Sequence, residues 1–264
     1  MRHRLQRAAL LALVLATAGP IAGAMPARAA DFISMSAQVW PPYYLDDSAH
    51  PGFAREVLQI CVPQAGYELR TSPLGIDKMY DGLRLGFVDA HVLSFDPKRA
   101  AYLTYAKLPL FSDSYRPVVR AGSGIQIRSL ADFDKLKVGH LRGLRYSEAY
   151  HDYLETRMGS ATGSGTVVQA DSNEELLRLL VDGKIDVYVN LAGTSRYLAR
   201  EIGASDKITV LPYDIKHSDY LLAVSQKSTH IRDRAAFLAS FDGCLKQLEK
   251  DGRLAKLRAS YGLE

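Results

Sequence analysis

The sequence has only two cysteines and one tryptophan among its 264 residues, and it lacks the short motifs of several common enzyme classes. No G-x-S-x-G, H-E-x-x-H or C-x-x-C pattern occurs. The Gly/Ser-rich run at residues 159–166 lacks the Gly-Lys-Ser/Thr ending of a phosphate-binding loop, so we interpret it as a linker. The sequence therefore predicts no catalytic residues and no cofactor.

The histidines do not form a metal-binding pattern either. All seven are scattered along the chain, and His91 and His140 lie in or next to predicted strands. A zinc site would need further ligands at suitable positions, and the sequence offers none. We interpret both histidines as structural and predict no metal site.

The longest apolar run lies at the N-terminus, inside a segment typical of a secretory signal peptide. Residues 1–29 combine a basic start, an apolar run over residues 8–18 and a small-x-small site at residues 27–29. The run is too short for a membrane span, although an uncleaved N-terminal anchor is the alternative. Four arginines in this segment account for the whole formal charge of +4. The remaining chain is formally neutral, which argues against a nucleic-acid partner.

A strand followed by a polar loop is the most informative stretch. The pattern predicts a helix ending near Gly86, an apolar strand over residues 87–93, and a polar loop that carries Ser94 and Arg99. Open α/β sheets bind their ligands beyond the ends of such strands. A guanidinium can bind a carboxylate through two parallel hydrogen bonds, so Arg99 is a candidate ligand-binding residue. The alternative is a solvated loop charge.

An aromatic loop follows the first predicted strand, residues 32–39. Trp40 is followed by two prolines and then by Tyr43 and Tyr44. The prolines end the strand and hold the aromatic side chains on a rigid turn. Trp40 is therefore a candidate for stacking on a ligand, and simple packing on the surface of a domain is the alternative.

The chain contains the same local pattern twice. A helix, a glycine, two residues, an aspartate and an apolar strand occur around Gly86 to Asp89 and again around Gly183 to Asp186. This repetition predicts two similar α/β units.

Together these motifs resemble the periplasmic solute-binding proteins of the polar amino-acid ABC-transporter type, which are the bacterial extracellular solute-binding proteins of family 3. The resemblance covers nearly the whole chain after residue 30. The matching segments are GFVDA at 86–90, Ser94, Arg99, FSDSY at 111–115, GFAREVL at 52–58, SLADF at 129–133, KVGHLRG at 137–143 and LEKDGRL at 248–254.

This resemblance implies a fold and a domain organisation. The expected fold is α/β, the two-lobed type II periplasmic binding fold, with a mixed sheet flanked by helices in each lobe and two hinge crossings between lobes. Lobe 1 would comprise residues 30–116 and 221–264, and lobe 2 residues 117–220. Because the C-terminal helices, expected over residues 231–244 and 245–261, return to lobe 1 in this family, Cys61 and Cys244 are a candidate disulfide in an oxidising compartment. Two buried free thiols are the alternative.

The resemblance also implies a set of ligand-binding residues. Arg99 would bind a carboxylate, and Trp40 would stack on the body of the ligand. A helix is expected to start near residues 146–148, and the amides of Leu144, Arg145 and Tyr146 at this helix start would complete the anion site. Arg142 and Arg145 could add positive charge, or they could be exposed loop arginines. The predicted ligand-binding residues are Trp40, Tyr43, Ser94, Arg99, Arg142, Leu144, Arg145, Tyr146 and Asn190.

Two positions depart from the family pattern. Leu191 and Ala37 stand where relatives that bind amino acids carry aspartates, and Asn190 is adjacent to the first of these. Neither an apolar side chain nor an amide compensates a buried ammonium group as a carboxylate does. This departure argues against a standard α-amino acid as the solute.

The sequence thus predicts a periplasmic, monomeric binding protein that closes on a small carboxylate-bearing solute and delivers it to an ABC importer permease. One alternative is an accessory or sensor protein of the same fold that acts through another periplasmic protein. Another is an enzyme similar to the cyclohexadienyl dehydratases, which would need an acid above the bound ring. No clear acid is found among the cleft candidates, so we predict that the protein is not an enzyme.

Overall fold

The structure, a computed structural model, describes residues 31–159 and 166–263. The predicted signal peptide and most of the predicted Gly/Ser linker lie outside these residues. The helices are α1 (Phe53–Gln64), α2 (Ile76–Leu85), α3 (Glu148–Gly159), α4 (Asn173–Val181), α5 (Ala192–Glu201), α6 (Arg234–Lys250) and α7 (Arg253–Ser260). The strands are β1 (Asp31–Ser36), β2 (Tyr67–Ser72), β3 (Ala90–Ser94), β4 (Leu103–Tyr105), β5 (Phe111–Arg120), β6 (Val138–Leu141), β7 (Val167–Ala170), β8 (Val187–Leu191), β9 (Ile208–Val210) and β10 (Lys216–Ser225).

Two long strands connect the two halves of the molecule. β1 and β2 form a parallel pair, and the larger sheet has the order β3-β10-β5-β8-β6-β7, with β4 against β10 and β9 against β5. β5 and β10 are antiparallel neighbours of ten residues each. The lobe boundaries predicted after residues 116 and 220 fall inside these two strands, and this division stays a proposal. The α/β class and the two crossings are as predicted.

The glycine of the repeated motif ends a helix where no side chain fits. Gly86 follows α2 with a left-handed φ of 91°, and its N–H donates to the carbonyl of Gly82. A Cβ at Gly86 would lie 2.5 Å from the carbonyl oxygen of Lys227. Both the backbone angle and the close contact therefore require glycine here.

The aspartate of the same motif is a buried acceptor that joins distant segments of lobe 1. The carboxylate of Asp89 is fully buried and accepts hydrogen bonds from Ser34 in β1 and from Ser228 and His230 after β10. In lobe 2, Asp186 accepts from the backbone N–H of Lys137 before β6. The repeated motif is thus explained by folding rather than by ligand binding.

The two cysteines form the candidate disulfide in the structure. Cys61 in α1 and Cys244 in α6 are bonded, with their Cα atoms 5.6 Å apart and both residues buried. The bond ties the C-terminal helices to the first helix of lobe 1, as the resemblance implied.

Three predicted boundaries are wrong. The first strand, expected over residues 32–39, ends at Ser36. The strand expected from residue 87 begins at Ala90, because the preceding Asp89 is held by Ser34. The C-terminal helices do not break at residues 244–245, since α6 continues to Lys250. The break comes at Gly252, whose left-handed φ of 73° separates α6 from α7.

Each half has its own apolar core, and one hinge residue contacts both. The lobe 1 core contains Phe53, Val57 and Phe241, and the main lobe 2 core contains Phe133 and Tyr150. The half-buried ring of Tyr115 in β5 packs against both cores. None of the helices in the described part of the chain is long and apolar enough to cross a membrane.

Candidate functional site

The two faces of the antiparallel pair formed by β5 and β10 carry different kinds of side chain. In an antiparallel pair, directly opposed residues share a face of the sheet, and here Tyr115 opposes Lys216 while Phe111 opposes Tyr220. We define the cleft face of this ribbon by the residues Phe111, Asp113, Tyr115, Lys216, Ser218 and Tyr220. The outer face carries Ser112, Ser114, Arg116, His217 and Asp219, which form polar pairs with one another or with Asp214.

Aromatic rings from both lobes meet over the cleft face. The ring of Tyr115 lies edge-on to that of Tyr146 from lobe 2, with centroids 5.3 Å apart. The Tyr220 ring is 5.2 Å from that of Trp40 in lobe 1. Burial raises the pKa of Tyr115 to about 12 although Tyr220 lies within hydrogen-bonding distance. The space between the lobes therefore has aromatic walls and an aromatic floor.

Arg99 is fixed beside this floor. Its guanidinium donates to the hydroxyl of Tyr80 over 2.6 Å, and to the carbonyl and hydroxyl oxygens of Ser94 over 2.7 and 3.1 Å. The nearest carboxylate oxygen belongs to Asp96 and lies 3.6 Å from Nε. The side chain is 14 % exposed. Arg99 and Ser94, two predicted site residues, are therefore in contact, with the positive charge held mainly by neutral oxygens.

Trp40 is half-buried in an aromatic cluster. Its ring contacts those of Tyr43, Tyr44, Phe111 and Tyr220, at centroid distances of 4.9 to 6.3 Å. The cluster fixes the orientation of the indole and leaves part of it accessible. This placement is compatible with stacking on a solute, and packing remains the alternative that the sequence left open.

Tyr43 is buried behind this cluster, which corrects its assignment as a ligand-binding residue. It is 1 % exposed, its ring stacks on Phe111, and its hydroxyl donates to the carboxylate of Asp113 over 2.7 Å. Burial, followed by the charge of Asp113, raises the pKa of Tyr43 well above its ordinary value. Asp113 also accepts from the N–H of Gly193 at the start of α5, over 3.1 Å. Tyr43 therefore helps to fix the hinge strand against both lobes.

A cavity of about 290 Å³ borders this contact. It lies between β5, the start of α5 and the C-terminal residues after α7. Tyr43 is the only predicted site residue that lines it, and Arg99, Trp40 and Tyr146 do not. The cavity therefore meets the cleft face at Phe111 and Asp113 but does not include the predicted site around Arg99.

In lobe 2, the residues predicted to bind an anion before α3 lie in different environments. Arg142 is exposed and donates to Asp171 and Gln169, and the N–H of Leu144 donates to the carbonyl of Leu141. These two groups are already paired, although α3 begins at Glu148, within the predicted helix start. The anion site expected from the amide of Leu144 is therefore not preformed.

The neighbouring Arg145 and Tyr146 remain candidates. Arg145 is exposed, and Tyr146 is 5 % exposed with a hydroxyl that has no hydrogen-bond partner among the described residues. Across the mouth, Lys98 of lobe 1 lies 4.0 Å from Glu148 of lobe 2. The two lobes thus approach each other at this edge.

Asn190 does not take the place of the missing aspartate. It opposes Arg116 of the outer face, and its amide is bonded to Asn173 and to the N–H of Leu191. Leu191 opposes Tyr115 and is 1 % exposed. Because side chains alternate along a strand, Leu191 shares the cleft face and Asn190 does not. The position nearest the expected ammonium site is therefore apolar.

Sequence reasoning missed four residues of the site: Tyr80, Tyr115, Lys216 and Tyr220. Lys216 is half-buried, and burial followed by the charge of Arg99 lowers its pKa. The alternation of Lys216, Ser218 and Tyr220 in the return crossing was a signal that could have shown them on one face.

The two histidines singled out from the sequence lie within the cores. Burial lowers the pKa of His91 to about 4, and its ring lies beside that of Tyr44. His140 is buried next to Tyr146, and its pKa is also lowered by burial. Within residues 31–159 and 166–263, no three His, Cys, Asp or Glu side chains come together as metal ligands.

Comparison with known proteins agrees with this architecture. The sequence model of the bacterial extracellular solute-binding proteins, family 3, matches residues 33–264. No curated protein matches the chain. A histidine kinase sensor domain similar to periplasmic binding proteins has 24 % identity and a TM-score of 0.67, over 88 % of this chain and 97 % of that one.

Two further solved structures are similar. The glutamate-bound ligand-binding core of GluR0 from Nostoc punctiforme has 19 % identity and a TM-score of 0.67, over 87 % of this chain and 99 % of that one. An arginine-bound substrate-binding protein of an amino acid ABC transporter from Streptococcus pneumoniae has 16 % identity and a TM-score of 0.66, over 87 % and 93 %. These likenesses confirm the predicted two-lobed periplasmic binding fold. Because the family match covers most of the sequence as well, the chain belongs to family 3 of the bacterial extracellular solute-binding proteins.

Proposed function

We propose that this protein binds a small carboxylate-bearing solute between its lobes in the periplasm and delivers it to an ABC importer. Family membership supports a solute-binding role. The signal-peptide pattern of residues 1–29 supports export, and the family resemblance supports an importer as partner. Binding without turnover is part of the same proposal, since the hinge-strand acids are already paired.

The observation that carries the proposal is the setting of Arg99. A flexible, solvated arginine would lose side-chain entropy on binding a carboxylate. Here Tyr80 and Ser94 already hold the guanidinium in one orientation, next to the aromatic floor formed by Tyr115 and Tyr220. Such preorganisation lowers the entropic cost of binding a carboxylate to the remaining N–H groups of the guanidinium.

Closure follows from the contacts that span the cleft. Tyr146 from lobe 2 meets Tyr115 on the hinge, and Glu148 approaches Lys98 of lobe 1. A solute that touches both lobes binds the closed state more tightly than the open one, and this difference in affinity drives closure. A membrane permease would then recognise the closed form.

A thermal-shift screen of the mature protein tests the proposal. The protein is unfolded and refolded to remove bound solute, then mixed with amino acids, hydroxy acids, dicarboxylates and aromatic acids. A binding solute raises the melting temperature by mass action. We expect at least one carboxylate to do so, and Arg99→Met to abolish the shift. Arg84→Met is the matched control, because Arg84 is exposed and pairs only with Asp81.

The absence of any shift in a well-folded protein would overturn the carboxylate-binding proposal. It would favour the second candidate, a sensor or accessory protein that acts through a periplasmic partner. The apolar Leu191 at the expected ammonium position is the observation behind that candidate, and the fold is also that of a histidine kinase sensor domain. Turnover of prephenate by the purified protein would instead establish the dehydratase alternative.

A further inference from the structure

Lys216 is a charged residue of the cleft that has no partner. It begins β10, lies directly opposite Tyr115 and shares the cleft face with Tyr220. It is half-buried, and its ammonium group makes no hydrogen bond or ion pair with any residue in the described part of the chain. Arg99 and Asp96 are the charged groups close enough to affect it. An ammonium group at a partly enclosed site with a cationic neighbour is unfavourable unless an anion joins it.

The acids near the hinge do not supply that anion. Each carboxylate on or beside the two crossing strands is paired with another group. These pairs are Asp96 with Arg99, Asp113 with Tyr43, Asp214 with Arg116, and Asp219 with Ser112. Asp96 also accepts a hydrogen bond from the backbone N–H of Lys98, so it is held in the loop that carries Arg99. Two cationic side chains, Arg99 and Lys216, therefore face a cleft whose carboxylates, Asp96 and Asp113, both already have partners.

The same cleft is poorly suited to a cationic solute group. The family resemblance predicts aspartates at positions 37 and 191, whereas Ala37 and Leu191 are apolar, and Leu191 shares a face with Tyr115. The ammonium group of an α-amino acid would meet these apolar side chains, and Lys216 would repel it. A solute with a single carboxylate would leave Lys216 without a counter-charge once closure excluded water.

We propose that Lys216 is a second anion-binding residue of the cleft and that the solute is a dicarboxylate without an amino group. Arg99 binds one carboxylate and Lys216 binds the other, while the surrounding tyrosines pack against the carbon skeleton between them. This inference rests on the proposed solute-binding function and names the substrate class of the same site.

Calorimetric titration of the refolded, mature protein tests the inference with matched solutes. Succinate is compared with L-aspartate and glutarate with L-glutamate, since each pair differs only in the amino group. Benzene dicarboxylates are compared with benzoate, and succinate with butyrate, to vary the number of carboxylates. We expect a dicarboxylate to bind at least tenfold more tightly than its amino or monocarboxylate counterpart.

Two substitutions of Lys216 separate its role from general stability. Lys216→Gln should weaken the best dicarboxylate at least tenfold and change the affinity for the matching monocarboxylate less than twofold. Lys216→Glu should reverse the preference within the matched pair, because it places a carboxylate where the amino group of the solute can reach it. Lys246→Gln, at an exposed position of α6, is the control and should change neither affinity.

The outcomes distinguish the inference from the proposed function. If no carboxylate of any kind binds, the proposed function fails. If carboxylates bind in an Arg99-dependent manner but the amino acids bind as tightly as the dicarboxylates, the function stands and the dicarboxylate assignment is wrong. Equal losses for mono- and dicarboxylates in Lys216→Gln would show that Lys216 does not bind the second carboxylate.

Discussion

Among conservative single substitutions, the structure predicts a large loss of stability for Asp113→Asn. The carboxylate of Asp113 accepts three hydrogen bonds, from the hydroxyl of Tyr43, the N–H of Gly193 and the N–H of Ser114, over 2.7, 3.1 and 2.7 Å. Tyr43 belongs to the aromatic loop of lobe 1 and Gly193 to the first turn of α5 in lobe 2. The carboxylate therefore joins the hinge strand to both lobes.

Asp113→Asn preserves shape and removes one acceptor. All three groups facing the side chain donate hydrogen bonds, so the amide nitrogen must face a donor in either orientation of the Asn side chain. A lost hydrogen bond to a charged acceptor costs about 1.5–3 kcal/mol, and a buried donor left without a partner costs a similar amount. Because Asp113 is only half-buried, we expect a total loss of about 2–3 kcal/mol in the free energy of unfolding.

Urea denaturation at neutral pH measures this loss. For a chain of this length it corresponds to a melting temperature lower by about 4–12 °C. Asp219→Asn is the matched control, since Asp219 lies on the outer face of the same ribbon and its one side-chain hydrogen bond is to Ser112. It should cost less than about 1 kcal/mol, as exposed polar contacts do. Equal losses for both variants would refute the special role assigned to Asp113.

Three further predictions concern the disulfide, a close contact and a buried histidine. Replacing Cys61 and Cys244 with Ser opens a loop with a sequence separation of 183. Chain entropy predicts that the free energy of unfolding then falls by up to about 5 kcal/mol, and a fall below about 1 kcal/mol in urea unfolding would contradict this. Gly193→Ala should cost about 1–3 kcal/mol by the same assay, because its Cβ would lie 2.9 Å from the Tyr43 hydroxyl, whereas Gly243→Ala, with open space around it, should not destabilise the protein. Burial lowers the pKa of His91 to about 4 from its usual 6.5. As the pH falls from 6.5 to 4, the unfolded chain therefore binds a proton that the folded chain does not, and up to about 3 kcal/mol of the stability at neutral pH is lost. His91→Gln should lose less stability than the wild type over this range, and identical pH profiles would contradict the assignment.

The sequence predicted those parts of the molecule that depend on local pattern. The helix expected to end near Gly86 ends at Leu85, and the apolar strand expected after Asp186 begins at Val187. A left-handed glycine after a helix and a buried aspartate are encoded within a few residues, so both copies of the motif could be identified. The break between the C-terminal helices was predicted too early, at residues 244–245, although the left-handed Gly252 after α6 is a local signal of the same kind.

The composition of the site depended on contacts that no local pattern records. Tyr43 and Trp40 belong to the same aromatic loop, yet only Tyr43 is fully buried. Its hydroxyl donates a hydrogen bond to Asp113, which lies seventy residues away in sequence. Asn190 and Leu191 are neighbours in one strand, and only the register against β5 decides which of them faces the cleft. Which of two neighbouring residues faces the cleft depends on the register with the partner strand, and a single sequence does not show that register.

The two crossing strands link stability and solute choice in this protein. Their cleft face carries Asp113, which is bonded to both lobes. Two residues further along β5 it carries Tyr115, which faces the unpaired Lys216. A solute that neutralises Lys216 would bind where Tyr115 packs against the cores of both lobes, so its charge would act directly on the hinge. Substitution of Asp113 should therefore weaken solute binding as well as folding, because it loosens the strand that positions both Tyr115 and its partner. Substitution of Lys216 should weaken binding alone, since no folded contact depends on its charge.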